Sequence, residues 1–189
     1  MTTEDQRARL YPVILCEYNP EWPKWYAIEK SKLERLIGAE NIARINHYGS
    51  TAVPGLVAKP TVDIMPEILE TADINKLIAA LPSSEYICLD HTKLTMPTPP
   101  PHLMFLKGYT PAGFAEKVYH IHVRYPGDWD ELRFRDYLIA HPEAANEYAT
   151  LKRKLLQDFE FDRDGYTEAK SVFIREITHK ARALRDVNL

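Results

Sequence analysis

Between His47 and Ile64 the chain reads HYGSTAVPGLVAKPTVDI, and this stretch leaves few folds open to it. Gly49, Pro54, Gly55 and Pro60 prevent a continuous helix here. The apolar runs on either side, Ile42 to His47 and Thr61 to Leu69, read as strands. A sheet therefore has to form around a long, turn-rich connection. The segments beside it agree with that. Val13 to Glu17 and Tyr86 to Leu89 read as short strands, as do His102 to Lys107 and Val118 to Tyr125.

Helical segments are interleaved with these strands. Asn19 and Pro20 signal a helix start, and Trp22, Tyr26, Leu33 and Leu36 recur at helical spacing over Glu21 to Ala39. Thr71 is expected to cap a short helix ending at Leu81. Thr95 to Pro101 holds four prolines, Pro97, Pro99, Pro100 and Pro101, and can only be a stiff surface loop or edge. Beyond Gly127 the pattern turns wholly helical. Asp128 caps Trp129 to Ala140, Pro142 opens a helix to Phe159, and Thr167 to Arg185 carries an apolar stripe stepping by three and four. The fold class is α/β (α+β), a mixed sheet flanked by helices with a C-terminal helical extension. One domain spans residues 1–189, with a mixed core over about 10–126 and the extension over about 127–189.

Composition excludes several function classes. A net charge of −3 argues against holding nucleic acid by bulk electrostatics. With 45% hydrophobic residues there is material for a core and no signature of disorder. No apolar run approaches the roughly 20 residues of a membrane span, and the polar start MTTEDQRARL lacks a signal core. A cytoplasmic location is expected, without membrane contact. Cys16 and Cys88 stand apart in apolar runs and read as isolated buried thiols.

The turn-rich connection also carries the chemistry. Gly49 lets a ligand approach the backbone, Ser50 and Thr51 supply hydroxyls, and Lys59 supplies a positive charge for phosphate. Asp63 lies on the strand that follows, where a carboxylate can hold Mg²⁺ against those phosphates. Singly, each of these residues reads as turn chemistry or a surface acid; together they fit a nucleotidyltransferase pattern.

GSTAVPGLVAKPTVDI resembles the signature of the GrpB family, GSTxVPGLxAKPxxDI. The likeness extends from about Val13 to about Ala183 through YNPEW at 18–22, HIHV at 120–123, FRDYL at 134–138, YATLK at 148–152 and YTEAKS at 166–171. It implies the nucleotidyltransferase-like fold. Members fused to dephospho-CoA kinase point toward nucleotide or coenzyme metabolism. The pattern breaks at Met65, where active nucleotidyltransferases carry a second acid two residues after the first, on the same strand face. Glu67 is the nearest substitute on that nominal face, although Pro66 disturbs the alternation.

His120 and His122 share a face of a later strand, about where the resemblance would put a third carboxylate. Imidazoles suit Zn²⁺ or Mn²⁺ better than Mg²⁺, and either can act as a base. His47 is expected to be structural. Phe105, Lys107, Arg135 and Lys152 are candidates for the cleft, with Lys107, Arg135 and Lys152 as nucleotide contacts; Lys170 stands in a similar family-like segment.

Three readings follow. The first is transfer of a nucleotidyl group from a nucleoside triphosphate, or a related reaction of a phosphorylated small molecule. It would use a divalent metal, Mg²⁺ or Mn²⁺ ahead of Zn²⁺, held by Asp63 with Glu67 or His122. Catalysis would fall to Asp63, His120 and His122. The second is a nucleotide-binding module without catalysis. The third is a hydrolase built on the His120 and His122 pair.

Overall fold

The computed structural model describes residues 3–90 and 99–186. Helix α1 (Thr3–Leu10) is followed by α2 (Trp22–Ile37), β1 (Ile42–Tyr48), β2 (Thr61–Ile68), α3 (Ile74–Ala80), β3 (Tyr86–Asp90), β4 (Leu103–Thr110) and β5 (Gly113–Val123). The remainder is α4 (Asp130–Ala140), α5 (Pro142–Phe159), α6 (Arg163–Ala169) and α7 (Ser171–Asp186). The expected class holds: a mixed five-stranded sheet with helices around it.

Strand order is β1-β2-β5-β4-β3, and every neighbouring pair is antiparallel except β2 with β5. Alternation along these strands divides the side chains between two faces. Val62, Ile64, Phe105, Tyr119, Ile121 and Val123 pack with Trp22 and Leu33 of α2 and Leu77 of α3 in one buried cluster. Asp63, His120 and His122 therefore turn to the opposite face. A second cluster joins Val53, Leu56 and Val57 of the connection to Leu138 of α4, Tyr148 of α5 and Ile177 of α7. The helical half is in this way fastened against the Gly-Ser connection.

Several local expectations give way. Cys16 makes only an isolated bridge to Ala58, so Val13 to Glu17 is not a full strand. The cap of α3 is Asp73, whose carboxylate accepts from the amides of Asn75 and Lys76, and not Thr71. Trp129, not Asp128, occupies the cap position of α4; the Asp128 carboxylate instead accepts from Arg133. The last helical run breaks at Lys170 into α6 and α7. Cys88 is exposed on β3, not buried. The polar N-terminus forms α1, which the sequence pattern did not suggest. Of the proline loop, positions 95–98 lie outside the described residues. No helix among the described residues is long and apolar enough to cross a membrane.

Candidate functional site

Parallel pairing assembles the site. β2 and β5 run side by side with Asp63 opposite His120 and Ile64 opposite Ile121, which puts His122 one same-face step beyond. One donor atom from each of Asp63, His120 and His122 lies within 4.8 Å of the others. His120 Nδ1 is 3.5 Å from Asp63 Oδ1, and its Nε2 is 2.7 Å from the Tyr109 hydroxyl. The Tyr109 ring also stacks on His120. Burial would raise the Asp63 carboxyl, but the hydrogen bond to His120 and the nearby His120, His122 and Lys59 charges hold it below the usual carboxylate range. Two imidazoles and an ionised carboxylate make a donor set suited to Mn²⁺ or Zn²⁺ more than to Mg²⁺.

Tyr109 reaches this face because of a bulge. Regular alternation would put Lys107 and Tyr109 on the same side, but the register shifts between them at Gly108. Gly108 has φ +87°, and a Cβ there would strike the Lys117 carbonyl. Lys107 consequently remains on the α2 side, bonded to Glu29 at 2.6 Å, and Tyr109 turns to the face of Asp63 and His120.

The connection after β1 closes over Asp63. Gly49 has φ +71°, and a Cβ there would fall on the Asp63 carboxylate, so glycine is needed both for the turn and for the close approach of the acid. Facing these groups is a cleft of about 850 Å³ between sheet and helical tail. Gly49, Ser50, Lys59, Asp63 and His120 line it from the sheet side, and Tyr148, Lys152, Arg163, Tyr166 and Lys170 from the helices. Lys152 donates to Ser50 Oγ at 3.0 Å and also to the Val57 carbonyl. Burial, reinforced by Lys170, Arg153 and Lys59, pushes its amine down to about 6. Lys170 is lowered to about 7 and Lys59 to about 8, again chiefly by burial.

Not every expected residue belongs to this cleft. Glu67 is fully buried four residues along β2 from Asp63 and accepts from Arg44, Asn46 and the Gly127 amide, so it acts there as a structural acid. Lys107 and Phe105 face α2 on the far side of the sheet. The Thr51 hydroxyl is buried, bonded to His47 and donating to the Thr61 carbonyl, and is not available to a ligand. Arg135 donates to the His47 carbonyl and so braces the strand end behind the turn. His47 stacks on Tyr26 of α2, away from the cleft, as a structural histidine would. Tyr109, Arg163, Tyr148 and Tyr166 are additions that sequence reasoning did not make. Tyr109 escapes sequence reasoning because the strand is expected to end at Lys107, whereas β4 runs through the Gly108 bulge to Thr110.

Comparison with known proteins matches residues 12–180 to the family model described as GrpB protein. The chain is 33% identical over 172 residues to the glutamate-rich protein GrpB of Alkalihalophilus pseudofirmus, covering 89% of this chain and 95% of that one. It is 28% identical over 188 residues to a dephospho-CoA kinase of Mycolicibacterium paratuberculosis, covering 90% of this chain but 46% of the kinase. Its fold is similar to the crystal structure of conserved protein GrpB from Enterococcus faecalis, with TM-score 0.71 and 29% identity over 89% of this chain and 96% of the other.

Proposed function

The chain belongs to the GrpB family, and from that premise we propose that it is a cytoplasmic, metal-dependent nucleotidyltransferase. The observation that carries this reading is the convergence of Asp63, His120 and His122 within 4.8 Å, with Asp63 and His120 lining a cleft that also holds Lys59, Lys152, Arg163 and Lys170. Asp63, His120 and His122 would hold a divalent ion, which when bound offsets charge on the phosphates of a nucleoside triphosphate.

The protein's own groups have separate tasks in such a reaction. The Gly49-Ser50 turn offers close backbone approach to a phosphate, and Lys59 supplies charge at the same wall. Tyr109 fixes the ring of His120 by bonding its Nε2, which orients the imidazole toward Asp63. An acceptor hydroxyl oxygen bonds to the α-phosphorus as the bond to the bridging oxygen breaks. Pyrophosphate leaves with that oxygen, and the hydroxyl proton goes to solvent.

Met65, fully buried where a second acid would be expected, favours a second reading: a nucleotide-binding module without turnover. One experiment separates the two. Purified protein with labelled ATP, Mn²⁺ and an added polyol, which with water serves as hydroxyl acceptor, is expected to release pyrophosphate, and Asp63→Asn to abolish that release. Tight nucleotide binding with no pyrophosphate above background would replace the transferase by the module.

A further inference from the structure

Lys59, Lys152 and Lys170 come from three different parts of the chain, the Gly-Ser connection, α5 and the break between α6 and α7, yet line the same cleft. Lys152 is 2% exposed and Lys170 9%. Among the described residues none of the three makes an ion pair with a carboxylate. Lys152 has only Ser50, the Val57 carbonyl and the Tyr148 ring around its charge. Lys59 and Lys170 both lie over the ring of Tyr166, at 5.7 and 4.5 Å. Burying cations without anions is costly. Structural stability alone gives no reason to gather three of them.

Other groups in the same cleft point the same way. Tyr166 Oη and Thr178 Oγ1 are buried there without a hydrogen-bond partner among the described residues. Arg163 stands at the cleft wall as well, donating to the Tyr109 hydroxyl at 3.1 Å. Donors crowd this part of the cleft, and although Asp63 and Asp164 also line it, neither forms an ion pair with the three lysines among the described residues.

We infer that the Lys59, Lys152 and Lys170 cluster is the seat of a multiply charged phosphate chain, and that the chain's arrival draws protons into the protein. The inference rests on the proposed nucleotide site and adds which amines hold the phosphates and how their binding is coupled to pH. Burial and mutual repulsion favour the neutral form within the cluster, and Arg153 and Arg163 add to that repulsion. Asp63 and Asp164 oppose it at Lys59, and Asp63 opposes it at Lys170. An anion among the three amines reverses the balance and favours the ammonium form of each. Affinity then falls as pH rises, because fewer amines are already charged and more protons have to be taken up.

Titration calorimetry of the full chain with ATP in EDTA, at about pH 8 in two buffers of different ionisation enthalpy, measures this coupling directly. At that pH the ATP phosphates are already deprotonated, so protons taken up belong to the protein. Binding is expected with a net uptake near one proton per site, and about a hundredfold weaker at pH 9 than at pH 7. Lys170→Gln should weaken binding at least about tenfold and reduce the uptake. Lys59→Gln repeats the test at a less buried position, should the first variant lower the melting temperature. Absence of binding, binding without proton uptake, or affinity unchanged in both variants overturns the inference. EDTA keeps the outcome separate from the transferase reading, since pyrophosphate release with Mn²⁺ is measured independently.

Discussion

His47 shows how one side chain makes the fold sensitive to acid. Stacked on Tyr26 and bonded to Thr51, it is pushed down to about 4, mainly by burial, with Arg135 adding and Asp63 opposing. The unfolded chain takes a proton near 6.5 that the folded protein refuses until about 4. Stability from this group is therefore complete above about pH 6.5, declines as pH falls toward 4, and amounts to up to about 3 kcal/mol. Urea denaturation of His47→Gln across that window should show a shallower acid limb than the wild type. An unchanged slope would mean that other groups set the acid sensitivity.

At the scale of elements, β1, β2 and the segment leading into α4 are tied through the carboxylate of Glu67. It accepts from Arg44 at 2.6 Å, Asn46 at 2.9 Å and the Gly127 amide at 3.1 Å. Removing a buried acid and leaving its donors behind costs about 3 kcal/mol. Glu67→Ala should lower the denaturation midpoint accordingly and leave Mn²⁺ affinity at the Asp63 cluster unaltered. A parallel loss of metal affinity would return Glu67 to the site. Why the sequence suggested otherwise is plain at this scale. Period-two alternation correctly put Glu67 on the face of Asp63, but two strands of sheet supply neighbours that one strand cannot reveal. The same alternation found His120 and His122; Tyr109 lies beyond the expected strand end at Lys107, and the bulge at Gly108 turns it to their face. Strand and helix positions were legible because their apolar spacing is local. Strand order, and with it the meeting of Asp63 and His120, depends on pairing between distant segments.

For the whole molecule, a ligand at the cluster should be felt as global stability. An ion that binds only the folded state at about 100 times its dissociation constant adds about 2.7 kcal/mol. For a chain of 189 residues that is a rise of roughly 5–10 °C in melting temperature. Mn²⁺ should produce this shift in the wild type and not in Asp63→Asn, and a shift in both would locate the ion elsewhere. The cluster also depends on how the chain is threaded. β2 and β5 are the one parallel pair in the sheet, and between them the chain must lay down α3, β3 and β4. Parallel neighbours cannot be joined by a tight hairpin, so their contact waits for a long loop to close. The donor set is thus expected to come together late as the chain folds, after the closure of that loop. A bound ion would find nothing to grip in the nascent polypeptide; it slows the opening of the finished protein and leaves the pace of its formation untouched.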